Sequence, residues 1–178
     1  TFDLQDADSD SCDLKVEYRI KGKAWKSANV KESLRGVKPG TGLTLTWQSH
    51  LDVENVVTND CRLRITPNDG VLPGTPGEST GFPLDNLPPT FTVTAIANPV
   101  HPRYVDVTVV ADEKLSAAPD VSVDLGGEGD PTTLDVKSVA DASWTGMFVL
   151  DQGFDGVVTV SVEGVDLVGN VGEAELEN

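Results

Sequence analysis

Apolar and polar residues alternate along most of the chain in runs of five to nine, each run ended by Gly, Pro, Asn or Asp, and no stretch sustains a helical period. Residues 1–5 (TFDLQ) form one such run, and in residues 14–20 Leu14, Val16, Tyr18 and Ile20 fall on a single face. Further runs cover 24–30, 43–47 and 61–66, the last with Cys61, Leu63 and Ile65 together on one side. The pattern resumes in 91–96, 104–111, 121–125, 134–139, 146–150, 157–163 and 173–176. Side chains of a strand point to opposite faces in turn, so period-two alternation between turn signals predicts an all-β sandwich whose sheets each keep one wet face.

Between the two series lies residues 82–89, FPLDNLPP, where prolines cannot donate ladder hydrogen bonds and hold the chain extended. A boundary there divides the chain into domains 1–87 and 88–178, each near the roughly 100 residues of an immunoglobulin-like sandwich. Charge divides unevenly across it. The first part has 10 basic and 13 acidic residues, net −3, and the second has 3 and 16, net −13, giving −16 in all. That sign disfavours nucleic acid and anionic lipid surfaces as partners. No run approaches the roughly 18 apolar residues of a membrane span, so membrane insertion is not expected.

Groups suited to catalysis are sparse. The two histidines, His50 and His101, lie beside Asp52 and between prolines 99 and 102, without a Gly-x-Ser-x-Gly or His-Glu-x-x-His pattern. Asp151 and Asp155 flank Gly153 and Gly156 in what reads as a turn, which gives no pocket for a glycosidase pair. A non-catalytic protein is expected.

Several segments carry a family likeness. The residues DLQDADSDSCDLKVEYRIKGKAW, LTLTWQSHLDVENVV and CRLRITPNDGVLPGTPGESTGFPLDN resemble the fibronectin type III-like modules found in tandem in large bacterial surface and secreted proteins. The matching positions are Asp6, Tyr18, Trp25, Trp47, residues 62–69, Asp85 and Asn86. The second half resembles a bacterial immunoglobulin-like domain, through its strand pattern and the Asp166, Gly169, Asn170 turn. The resemblance implies an extracellular or cell-surface structural or adhesive module pair of a larger bacterial protein, acting as a spacer or presenting element beside neighbouring domains of the same or another copy, with a glycan-binding or calcium-dependent adhesive module as the alternative. It also implies that TFDLQ is the second strand of its module, which leaves Phe2 and Leu4 on an unpaired edge. Either the first strand is trimmed or dispensable, or another chain donates it, as in fibre subunits assembled by strand addition.

Two places invite calcium. Asp6, Asp8 and Asp10 stand at alternate positions, but Ser11 occupies the place where an EF-hand needs Gly, and a strand follows where a helix is required. In the family layout this turn shares an end of the sandwich with Asn68 and Asp69, so hard oxygen ligands from two loops could converge there; the alternative is a solvated turn capped by its own Asp and Ser side chains. The linker is the second place, where Asp85 and Asn86 resemble the acidic joints of cadherin-like tandems. Asp112, Glu113 or Asp166 could add ligands from the second domain, and Asp60 or Glu54 from the first. Cys12 and Cys61 are the only cysteines. The family layout puts them at opposite ends of the sandwich, about 20 Å apart and beyond disulfide reach, whereas assigning TFDLQ as the first strand would allow a bridge. Trp25, Trp47 and Trp144 are candidates for stacking on glycan rings or for plugging the sandwich cores.

Overall fold

The structure, a computed structural model, describes residues 1–8, 11–97, 103–126 and 129–177. Among these the chain is all-β and divides into two compact units, Thr1–Leu87 and Pro88–Asn178.

Unit 1 is built on the long strand β5 (Val57–Asn68), which pairs antiparallel with β2 (Asp13–Ile20) over the whole length of β2, from Asp13 opposite Asn68 to Ile20 opposite Cys61. The short β3 (Lys26–Ser27) flanks β2. Across this sheet lies a two-stranded one, β1 (Phe2–Leu4) against β4 (Gly40–Leu43). Leu4 from β1, Cys12 and Leu14 beside them, and the partly buried Leu43 and Ile65 close one core cluster between the two sheets. Tyr18, Val53, Cys61 and Leu84 form a second at the other end.

The other side of β5 is covered by β6 (Gly77–Glu78), opposite Arg64 and Ile65, and β7 (Phe82–Asp85), opposite Val57 to Cys61. At the break between them the Ser79 hydroxyl accepts the Leu63 N–H at 3.0 Å and the Ser79 N–H returns to the Leu63 carbonyl, so the ladder is bridged through a side chain. Residues 82–85, read from sequence as part of the linker, are therefore the last strand of unit 1. Pro83 is tolerated because nothing among the described residues pairs with the outer side of β7.

Unit 2 has two full four-stranded sheets. In one, β8 (Phe91–Ala97), β9 (Tyr104–Ala111), β13 (Ser143–Val149) and β12 (Lys137–Ala140) lie side by side; in the other, β15 (Val171–Glu177), β14 (Thr159–Val165), β10 (Asp120–Asp124) and β11 (Thr132–Thr133). Val107 and Val109 of β9 interleave with Val121, Val160 and Val162, and Trp144 plugs the same core. Each inward residue is followed by an outward one, the pattern of a sandwich with two wet outer faces.

Candidate functional site

The acidic turn at the start of unit 1 is shaped by its own side chains. Asp6 Oδ1 accepts the Asp8 N–H at 3.0 Å, and at the same end of the sheet Asp69 Oδ1 accepts the N–H groups of Val71 (2.8 Å) and Leu72 (3.2 Å). These bonds hold the Asp69 carboxyl below the ordinary range. Asp10 lies outside the described residues, as does His101. Asp6, Asp8 and Asp69 do not converge into a three-carboxylate group among the described residues.

Phe2 is half-buried and Leu4 buried, both on the single β-ladder that β1 makes with β4. No disulfide joins Cys12 and Cys61, which corrects the bridge that one strand assignment allowed. Cys12 sits just ahead of β2 and pairs with Val37, while Cys61 lies opposite the far end of β2 at Ile20, so the length of that strand separates them. Burial pushes the Cys61 thiol up and keeps it protonated.

Asp52, at the end of the 3-10 turn Ser49–Leu51, gathers several donors of unit 1. Its Oδ2 accepts both the Asn29 N–H and the Trp47 Nε1–H at 2.7 Å, its Oδ1 accepts the Asn29 side-chain amide, and its carbonyl accepts the Tyr18 hydroxyl at 3.1 Å. The Tyr18 and Trp47 rings stack with centroids 5.0 Å apart, and burial, followed by the Asp52 charge, raises the Tyr18 hydroxyl pKa. Asn86 closes the same end from the other side: its buried amide donates to the Val53 carbonyl at 2.7 Å and its Oδ1 accepts the Ser49 hydroxyl. Asp85 turns its carboxylate onto the Leu87 N–H at 3.1 Å. Asp60 pairs with Arg62.

On the outer face of β2 and β5, two guanidinium groups stack on the Trp25 ring, Arg19 at 4.5 Å and Arg64 at 4.4 Å from its centre. Glu17, 6% exposed, receives Lys15 at 2.8 Å and Arg64 at 2.7 Å. The Lys15 contact first, then Arg64, hold its carboxyl below the usual range although burial works against them.

In unit 2 the carboxylates split into two kinds. Asp112 and Asp166 tie loops: Asp112 accepts the Thr90 N–H and hydroxyl, both at 2.8 Å, and these bonds lower its pKa. Asp166, 1% exposed, accepts the N–H groups of Val168, Gly169 and Asn170 on Oδ1 and the Asn170 amide on Oδ2. Burial alone would raise its pKa, but the donors, led by Asn170, outweigh it and hold the carboxyl low.

The second kind lines the outer face of β10, β14 and β15. Asp120 stands opposite Glu163 and Glu163 opposite Glu173, with Glu175 and Glu177 continuing along the edge strand, all exposed. Asp120, Glu163, Glu173 and Glu175 border an open groove of about 700 Å³ that Ser122, Thr133 and Ser161 also line. Like charges directly across a ladder destabilise it, whereas the ion pairs Lys15–Glu17, Arg62–Asp60 and Arg64–Glu17 all lie in unit 1.

No family model, characterised protein or solved structure matches the chain. The functional content rests on the geometry. The loop carboxylates hold backbone N–H groups and indole or amide donors, which is positioning work, and each tryptophan ring has a packing role: Trp25 against Arg19 and Arg64, Trp47 on Tyr18, Trp144 in the core of unit 2. Sequence reasoning set Asp52 beside His50 without a role, and it did not find the arginines around Trp25. Arg19, Arg62 and Arg64 alternate with core residues, so their outward direction was readable. Which of them meet Trp25 depends on the pairing of β2 with β5, which no local signal fixes.

Proposed function

We propose that the chain is a non-catalytic pair of fibronectin type III-like and immunoglobulin-like modules that serves as a spacer or presenting element in a larger protein at a bacterial surface. The observation that carries this reading is the strand order. In unit 2 successive pairs of strands alternate between the sheets, so that β8, β9, β13 and β12 face β15, β14, β10 and β11, an order that supports an immunoglobulin-like reading. In unit 1 the same order recurs, with β1 and β4 facing β3, β2, β5 and the strands beyond β5. The bacterial and extracellular setting comes from the sequence resemblance and is part of the proposal. Use of Asp52, Asn86, Asp112 and Asp166 as loop ties favours a rigid scaffold over a reactive site.

A spacer must hold its fold under tension. Stretching the full chain between its ends by single-molecule force spectroscopy should give two separate unfolding events, each releasing about 25–30 nm of extended chain for a unit of this size. A single event, or extension at the force of an unstructured chain, would overturn the proposal.

A further inference from the structure

Two outer sheet faces of the molecule hold like charges in opposition, one basic and one acidic. In unit 1 alternation turns Lys15, Glu17 and Arg19 of β2 and Arg62 and Arg64 of β5 to the outer side, and the ladder sets Arg19 directly opposite Arg62. Arg62 is paired with Asp60, and Arg64 with Glu17, while Glu78 of β6 stands opposite Arg64. Arg19 has no such partner. Among the described residues no hydrogen bond or ion pair engages its guanidinium, which stacks on the Trp25 ring at 4.5 Å and leaves its N–H donors without an acceptor. Lys21 and Lys23, both exposed, follow in the turn after β2.

The outer face of β10, β14 and β15 in unit 2 is the opposite case. Asp120, Glu163 and Glu173 stand in a row across its ladders, and none of the four strands of that sheet contains a Lys or an Arg. Each face therefore keeps like charges directly across a ladder, an arrangement that is destabilising by itself and that a surface of the other sign offsets. The spacings agree as well. Opposed residues on an antiparallel ladder have Cβ atoms about 5 Å apart, so the Arg19 and Arg62 pair has the same width as the Glu163 and Glu173 pair.

We propose that the arginine face of unit 1 in one copy of the chain docks onto the carboxylate row of unit 2 in a second copy, with the Arg19 and Arg62 guanidinium groups set against Glu163 and Glu173. A guanidinium fork meets a carboxylate through two parallel hydrogen bonds, so the contact has a geometry as well as a sign. The net charge of −16 opposes association at long range, but in 0.1 M salt that repulsion is screened beyond about 10 Å while groups in contact still attract. Each copy has one face of each kind, which makes the contact heterologous and lets copies add head to tail. The inference goes beyond the spacer reading, because it says how copies meet and does not depend on what the pair carries or spaces.

The test follows the mass of the full chain by sedimentation in about 0.1 M sodium chloride with EDTA present. The parent protein should self-associate as its concentration is raised to about 1 mM, and about 0.5 M salt should weaken the association by about tenfold or more. Arg19→Glu and Glu163→Lys should each stay monomeric alone. Mixed, they should form one-to-one pairs and nothing larger, because the first variant keeps the carboxylate row and the second keeps the arginine face. Should either charge reversal lower the melting temperature, Arg19→Gln and Glu163→Gln take its place with the same pattern expected. Four results would each overturn the proposal: a parent protein that stays monomeric, association that EDTA abolishes, single variants that associate like the parent, or a mixture of folded variants that stays monomeric. The two unfolding events of one stretched chain depend on none of these, so the two readings fail separately.

Discussion

A carboxylate that accepts several backbone N–H groups anchors a turn, and Asp166 is the clearest case in this molecule. Four donors converge on its two oxygens in the hairpin between β14 and β15, and no water reaches them in bulk at 1% exposure. Hydrogen bonds to a charged acceptor contribute more than neutral ones, and stranding their donors carries the desolvation cost of each. Replacing Asp166 with Ala is expected to lower the stability of unit 2 by about 2–4 kcal/mol, read as a shift in the urea midpoint at neutral pH. The pH dependence has a definite sign. The folded carboxyl titrates below its ordinary value of 3.8, so its contribution is fully present above that pH and is lost as pH falls through the lower folded value. The difference in stability between the parent protein and D166A should therefore hold constant from pH 7 to about pH 4 and shrink below it. A difference that stays constant below that, or grows, would show that the side chain acts through packing and not through its charge.

At the scale of elements, the closest packing in unit 2 is set by two glycines that face each other across a ladder, Gly164 in β14 and Gly172 in β15. A Cβ on Gly164 would lie 2.7 Å from Phe91 Cζ and 2.9 Å from Leu115 Cδ1, and one on Gly172 would overlap the Pro89 carbonyl oxygen. The missing side chains make the notch that receives the chain entering β8. Gly172→Ala should cost about 3 kcal/mol, because the obstacle is backbone and cannot rotate away. Gly77→Ala in β6, with open space around it and an ordinary φ, should stay within about 0.5 kcal/mol; equal effects in a thermal melt would refute the steric account. This notch was invisible in the sequence, where VEGVDLVGNVG reads simply as a strand and a turn. What the sequence did reveal was the alternation: the inward Val107 and Val109, or Leu14 and Val16, are legible because period two is a local property. Short strands were not. The run 24–30 narrows to Lys26–Ser27 with a lone bridge from Val30 to Trp47, and Thr132–Thr133 was not anticipated, because two-residue strands exist only through their partners. Likewise Trp144, two residues ahead of the expected run 146–150, belongs to β13 because β9 extends its ladder to meet it. The candidate ligands Asp69 and Asn86 were picked out by residue type, but type alone does not tell a metal ligand from a cap whose lone pairs already face N–H groups and hydroxyls.

For the molecule as a whole, the uneven charge has a structural form. Unit 1, at net −3, pairs Glu17 with Lys15 and Arg64 and Asp60 with Arg62, whereas unit 2, at net −13, has the opposed row Asp120, Glu163 and Glu173 with no described ion pair to offset it. Residues directly opposite on an antiparallel ladder have Cβ atoms about 5 Å apart. The screening length is about 10 Å at 0.1 M salt and about 3 Å at 1 M, so physiological salt leaves most of this nearest-neighbour repulsion in place and molar salt removes much of it. Exposed ion pairs respond in the opposite sense, which leaves unit 1 with little to gain and its partly buried Glu17 pairs with little to lose. Raising sodium chloride from about 0.1 to 1 M is expected to raise the melting temperature of unit 2 by several degrees while that of unit 1 changes by about 1 °C or less. Chloride is the anion to use, because sulfate would stabilise both units by exclusion from their surfaces and hide the contrast. Exchange of the Cys61 and Val109 amides, both in fully buried residues, reports each unit separately within the same chain. Changing Glu163 to Gln in the centre of the row should remove a substantial part of the salt response of unit 2 while raising its stability at low salt. Equal salt shifts in the two units, or a variant as salt-sensitive as its parent, would mean that the carboxylate row does not govern the stability of unit 2.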